Sequence, residues 1–304
     1  MAIHKEKYGI LTYIFTLLIF AAMEAQAKYL AETFSVTQIV WARYIFHFII
    51  VIIIIISLEV LGFKTGIKKP KLLKVQILRS LSLLLMTYCF FTCLSKLPIV
   101  EATIISFTSP LITVLLSPFL LKEKVTYSLL LAVGVGFIGM FIAVSPNGQF
   151  FDLIKYNDWF IGVLFGIASG LFYSLYQIGT RVLAPVESNM TSLIFASLAG
   201  VIFTSVLIII NFDPASNGIA WKTPLISEWL LLISVGVFGA IGQLLILLAY
   251  SKARAVTLAP ISYIHIIWAS IFGYVIFNST PNIQSLFGAL IIILAGIYTY
   301  KKQV

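Results

Sequence analysis

Met23-Glu24-Ala25-Gln26-Ala27-Lys28-Tyr29 closes an apolar run that begins near Tyr8. A carboxylate, an amide and an ammonium stand here in a segment otherwise suited to hydrocarbon. Each charge at the centre of a membrane span costs roughly 2.5–3.5 kcal/mol. Partners elsewhere in the chain must offset that cost. The next apolar run offers Arg43 and His47, four residues apart and so on one helical face. The remaining apolar runs then read as walls around a polar pocket.

Composition fixes the class. The 304 residues are 61% hydrophobic and only 10% charged, with a mean hydropathy of +1.07, whereas soluble domains are about one quarter charged. An all-α, multi-pass membrane protein is expected. A helix needs about 20 residues to cross roughly 30 Å of hydrocarbon. Ten runs meet or approach that length, at 8–30, 36–60, 73–93, 98–120, 126–145, 159–181, 190–211, 228–250, 256–277 and 283–300. The links between them leave no room for a soluble domain. Lys5 and Lys7, the apolar core and Ala25-Gln26-Ala27 imitate a secretory leader. The run exceeds a leader's apolar region and has a twin later in the chain, so it reads as a retained first span. Cys89 and Cys93, one turn apart in the third span, read as small packing residues.

The net charge of +9 is unevenly distributed. Assigning connections alternately to two sides puts Lys5, Lys7, Lys64, Lys68, Lys69, Lys71, Lys74, Arg79, Lys122, Lys124, Arg181, Lys252, Arg254, Lys301 and Lys302 on one side. Lys28, Lys96, Lys155 and Lys222 fall on the other, with Arg43 inside the second span. By the positive-inside rule both termini are cytoplasmic. The Lys64–Lys74 cluster reads as a surface for anionic lipid, not for nucleic acid.

An internal repeat emerges when residues 91–144 are laid on 247–300. Ser95-Lys96 meets Ser251-Lys252, and Ile105-Ser106-Phe107 meets Ile261-Ser262-Tyr263. Upstream, Gly9 falls on Gly162, Glu24 on Gln177 and Lys28 on Arg181. Residues 1–145 and 159–304 then form two five-span halves joined by a linker at 146–158. Five is odd, so the second half enters the membrane from the opposite side. Inverted repeats of this kind build alternating-access carriers, with the site near the midplane between the halves.

The run Leu78-Arg79-Ser80-Leu81, with Leu97-Pro98-Ile99-Val100-Glu101-Ala102-Thr103 and Phe107-Thr108-Ser109-Pro110-Leu111, resembles the first EamA domain of the drug/metabolite transporter superfamily. Leu120-Leu121-Lys122-Glu123-Lys124 resembles the element closing that family's fourth helix, and Lys28 and Arg43 match its basic positions. Leu247-Leu248-Ala249-Tyr250, Leu258-Ala259-Pro260 and Gly288 to Gly296 resemble the second EamA domain, which departs from the pattern where Asn278-Ser279 replaces an acidic residue. Within the superfamily the chain looks similar to the branch of S-adenosylmethionine and riboflavin carriers. The resemblance implies a ten-helix carrier and says little about the substrate.

Other motifs read as packing. Gly134-Val135-Gly136-Phe137-Ile138-Gly139 follows no strand and lies inside a span, so it is no dinucleotide loop. Gly162, Gly166 and Gly170, and more loosely Gly236, Gly239 and Gly242, let helices approach closely within the bundle or across a homodimer seam. Pro110, Pro118 and Pro260 predict kinks. Asp152, Asp158 and Asp213 fall in connections, and His4, His47 and His265 lack zinc-site spacing, so neither a metal nor a cofactor is expected. An integral membrane enzyme or a purely structural membrane protein is the alternative reading.

Each candidate site residue has two readings. Glu24 is a proton acceptor or cation partner, or it is neutralised by Lys28 one turn on. Lys28 alternatively extends to the membrane surface. Arg43 suits a carboxylate or phosphate, or is locked to Glu24. His265, beside Tyr263 and Trp268, is a hydrogen-bonded core histidine or stacks on substrate. Gln177 and Gln243 bond helix to helix or line the pocket, and Tyr173, Tyr176 and Tyr250 suit a ring-bearing ligand. Together these residues predict a secondary-active or facilitative carrier in a bacterial-type inner membrane. Its expected cargo is a small polar or amphipathic metabolite, amino-acid-like, nucleoside-like or vitamin-like. Protons are the candidate coupling ion, and the state is monomer or homodimer.

Overall fold

The structure, a computed structural model, describes residues 2–63, 65–121, 125–145, 157–183, 185–215, 218–253, 258 and 260–303. The apolar runs are helices. The first half contains α1 (Ala2–Leu30), α2 (Val36–Val60), α3 (Leu73–Lys96), α4 (Ile99–Ser106), α5 (Ser109–Leu120) and α6 (Tyr127–Val144). The second contains α7 (Asn157–Leu183), α8 (Asn189–Ile209), α9 (Ile226–Lys252), a 3-10 turn (Pro260–Tyr263), α10 (Ile264–Phe277) and α11 (Ile283–Gln303). Eight helical segments among the described residues are long and apolar enough to cross a membrane. Two shorter apolar helices, Ile261–Phe277 and Ile283–Tyr298, occupy the ninth and tenth positions. Lys122-Glu123-Lys124 and residues 146–156 of the expected linker, Asp152 included, lie outside the described residues.

Helix ends follow from their side chains. Ser35 opens α2 and Ser188 opens α8, each accepting an amide hydrogen three residues on, from Gln38 and Thr191, both at 3.1 Å. The N-terminus of α3 has no side-chain cap of its own. The Glu187 carboxylate of the other half serves instead, accepting the amides of Lys71 at 2.5 Å and Leu72 at 3.1 Å.

The fourth span departs from the expected single helix over 98–120. It breaks between α4 and α5 because Pro110 has no amide hydrogen for the Ser106 carbonyl. Thr108 Oγ1 donates to the Ile105 carbonyl at 2.7 Å and so satisfies one group at the break. In the other half the 3-10 turn ends at Tyr263, where α10 begins. The repeat overlay places Phe107 on Tyr263, so both halves interrupt their fourth span at the same point. The two rings meet across the molecule, with centroids 5.1 Å apart.

Packing obeys the same exchange of halves. α3 packs on α7 as α9 packs on α1, α2 on α9 as α8 on α3, and α4 and α5 on α7 as α10 on α1. The remaining principal pairs, α2 with α8, α6 with α11 and α4 with α10, join each helix to its own counterpart. Gly9 abuts Ala253 and Gly162 abuts Leu97, two contacts that the overlay interchanges. Gly136 lies against Leu111 and Gly139 against Ile291 and the Gly288 backbone, so these two glycines of the Gly134–Gly139 motif serve helix packing. Gly162, Gly166 and Gly170 descend along Leu97, Ile105 and Thr108.

One glycine contact gives a stability test. A Cβ at Gly200 would run into the ring of Tyr44. That ring is 1% exposed, and its hydroxyl is held by the Leu83 carbonyl at 3.2 Å and Thr87 Oγ1 at 3.0 Å. Gly200→Ala should therefore destabilise the protein by about 1–3 kcal/mol through overpacking. Gly134→Ala, with no atom within 4 Å of the new methyl, should be near neutral. Thermal unfolding in detergent compares the two.

Candidate functional site

Glu24, on the inner face of α1, is 8% exposed, and its partner is His265 near the start of α10. Glu24 Oε2 lies 2.9 Å from His265 Nε2, and His265 Nδ1 lies 3.2 Å from the Leu17 carbonyl. A carbonyl only accepts, so Nδ1 carries hydrogen in that contact. Nε2 then either accepts from a protonated Glu24 or donates as part of an imidazolium. A charged carboxylate facing a neutral Nε2 lone pair would make no bond. Either way one hydrogen lies between Glu24 Oε2 and His265 Nε2, and which atom carries it depends on the tautomer. The pair's counterpart in the other half is Gln177 and Ser109, which hold no titratable proton.

Arg43 does not meet Glu24. Its guanidinium donates from Nη1 to Thr87 Oγ1 at 3.1 Å and lies 4.9 Å over the Tyr44 ring. It is 4% exposed, its Nε has no hydrogen-bond partner, and no carboxylate among the described residues lies within 4.0 Å of it. One turn on, His47 is 3% exposed and both of its ring nitrogens are unpartnered. Leaving such groups buried and unmatched costs free energy that a ligand can recover. The bare face of Gly239 opens beside this cluster, with an added Cβ there 3.7 Å from Arg43 Nε and from Met23 Sδ. Arg43 and Met23, the residue next to Glu24, thus both face Gly239.

Lys28 does not pair with Glu24. Its ammonium donates to the Leu94 carbonyl at 2.9 Å and the Leu97 carbonyl at 2.7 Å, closing the C-terminal end of α3. The sequence-based Glu24–Lys28 and Glu24–Arg43 pairs are thus both replaced, by His265 for Glu24 and by backbone carbonyls for Lys28. Gln26 Nε2 donates to Ser234 Oγ at 2.6 Å, leaving its buried Oε1 unpartnered. Trp268 Nε1 is likewise buried and unpartnered. Gln177 and Gln243 are half-buried, and the Tyr250 side chain lies outside the described residues.

The break in the fourth spans brings Phe107, Tyr263 and His265 together. Phe107 lies 6.3 Å from the His265 ring, and the Tyr263 hydroxyl occupies the space a Cβ would take at Gly296. Phe107 was absent from the sequence-based site, although the overlay on Tyr263 carried the signal. Also missed were Thr87, Ser234 and a second buried carboxylate, Glu101, which is 7% exposed and accepts from Ser285 Oγ at 2.8 Å. Arg79, counted with the basic connections, is instead 6% exposed within α3. A groove of about 540 Å³ lined by Trp41, Ser205, Ile208, Ile209, Asn211 and Trp221 lies elsewhere. It carries no ionisable side chain and ends on Ile209, which is 80% exposed, so it is a rim feature, not the site.

Residues 7–145 and 160–300 each match the EamA-like transporter family. An S-adenosylmethionine uptake transporter of Rickettsia bellii is 27% identical over 99% of this chain and 97% of its own. A riboflavin transporter of Brucella anthropi is 28% identical over 69% of this chain and 70% of its own. A pseudopaline exporter of Pseudomonas aeruginosa is 22% identical over 98% and 97%. One crystal structure shares the fold with a TM-score of 0.66 at 18% identity, covering 98% of both chains.

Proposed function

The chain belongs to the EamA-like transporter family, is a small-metabolite transporter, and, we propose, binds its cargo between Arg43 and the Glu24–His265 pair. The observation that carries the reading is the buried guanidinium of Arg43, which has an unpartnered Nε and no carboxylate within 4.0 Å among the described residues. A carboxylate or phosphate on the cargo supplies the missing anion, and the planar fork binds it through two hydrogens. His47 adds a further donor or acceptor one turn away. Phe107, Tyr263 and Trp268 offer ring faces and an indole donor to the rest of the molecule. Transport proceeds by alternating access between the halves, and the proton shared by Glu24 and His265 is the coupling ion.

The test is uptake into proteoliposomes containing the purified protein. Labelled S-adenosylmethionine and riboflavin, named for relatives, join a panel of amino acids and nucleosides. Saturable uptake of an anion-bearing metabolite supports the reading. Uptake confined to cations without an anionic group contradicts it.

We place both termini on the cytoplasmic side of an inner membrane, on the strength of the lysine bias. Lys69→Cys and Lys301→Cys, in a background carrying Cys89→Ala and Cys93→Ala, should resist an impermeant maleimide in intact cells. Asn157→Cys should react. All three positions are exposed, so labelling reports sidedness, and the reverse pattern overturns the orientation.

A further inference from the structure

We propose that Asp213 latches one end of the carrier and Arg79 the other, so that alternating access consists of breaking these two polar clusters in turn. The proposal rests on the transport reading and adds residues outside the substrate site.

Asp213 belongs to the connection between α8 and α9 and is 1% exposed. Its Oδ1 accepts from Thr37 Oγ1 at 2.6 Å, from the Thr37 amide at 3.3 Å and from the Tyr88 hydroxyl at 2.7 Å. The Ala215 amide donates to the same tyrosine oxygen at 3.2 Å. Further along, Ser35 Oγ donates to the Ala220 carbonyl at 2.6 Å. Gln38 and Lys222 exchange two bonds, at 2.8 and 2.9 Å. Every one of these bonds joins the second half to α2, α3 or the residue before α2 in the first.

The opposite end is tied in the same manner. Arg79 Nε donates to Thr180 Oγ1 at 2.7 Å, Nη2 to the Tyr176 hydroxyl at 3.1 Å and Nη1 to the Ser192 carbonyl at 3.2 Å. Its guanidinium also lies 4.7 Å over the Tyr176 ring. Glu187 holds the start of α3 beside it.

The chemistry of these clusters suits a contact that must open. Hydrogen bonds given up when such a contact opens are exchanged for bonds to water, whereas parting an apolar seam exposes its whole area. Both clusters sit where the separating halves would admit water. The α6–α11 seam, by contrast, is closed by glycine against aliphatic side chains and backbone, which suits a fixed axis.

Full-length protein in sealed vesicles, carrying Cys89→Ala and Cys93→Ala, tests this with one reporter at a time and an impermeant maleimide on either face. Ala220→Cys reports the Asp213 end and Ser192→Cys the Arg79 end; these positions are 0% and 9% exposed. Asp213→Asn should speed labelling at position 220 by about fivefold or more, the lower end of ordinary coupling factors, and slow it at 192. Arg79→Gln should do the reverse. Faster labelling at both positions in either variant, or a change confined to the mutated end, would mean local loosening and overturn the proposal. Thr37→Val, which removes one donor and no charge, repeats the Asp213 arm if Asp213→Asn does not fold. A disulfide between Ser35→Cys and Ala220→Cys should stop transport until reduced; full transport in the oxidised protein also overturns the proposal. Labelling needs no cargo, so its failure is separable from failure of binding at Arg43.

Discussion

Glu24→Gln should abolish uptake driven by a proton gradient while sparing exchange of labelled for unlabelled cargo. The amide keeps the shape of the carboxylate and can donate to His265 Nε2 across the same 2.9 Å, with Nδ1 still directed at the Leu17 carbonyl. The fold is preserved, but the pair no longer has a proton to release and recover. A carrier coupled through that proton loses its driving force and retains its ability to reorient with cargo bound. Measuring both modes in the same proteoliposomes separates the outcomes. Loss of exchange together with uptake assigns Glu24 to binding or folding, and gradient-driven uptake at the normal rate removes it from coupling.

Arg43→Lys should fold normally and bind cargo more weakly by about 1.5–3 kcal/mol, the range for one hydrogen bond to a charged group. Lysine keeps the charge but not the planar fork, and it loses the stacking on Tyr44 at 4.9 Å. Because Arg43 has no carboxylate partner among the described residues, adding Glu24→Gln to Arg43→Ala should not restore affinity. A purely structural Arg43–Glu24 pair predicts the contrary, with stability and transport rescued together in the double variant. Melting temperature and affinity for the two singles and the double decide between these accounts.

The fold was legible because hydrocarbon imposes a simple rule on sequence: backbone polar groups must be bonded within the segment, so long apolar runs become helices. The repeat was legible from Gly9, Gly162 and the 105–107 overlay, since glycines at close helix contacts cannot be exchanged for larger residues without moving a neighbour. Pairing was not legible. The nearest cations in sequence suggest Lys28 or Arg43 as partners of Glu24, yet its partner comes from a helix more than two hundred residues away. Periodicity places a side chain on a face but does not say which helix covers that face. Arg79 shows the same limit, since a basic residue near a span's end serves equally as a surface charge or a buried tie between halves. The break at Pro110 was anticipated as a kink; its meeting with Tyr263 required the two halves to be seen together.

Arg43 is placed to receive an anionic group of the cargo. Thermal unfolding of the purified protein across a metabolite panel tests that role most directly, because a ligand that binds only the folded state raises apparent stability. At least one metabolite bearing a carboxylate or phosphate should raise the melting temperature of the native protein, and the same compound should give little or no shift with Arg43→Ala. An equal shift in both proteins would contradict the claim.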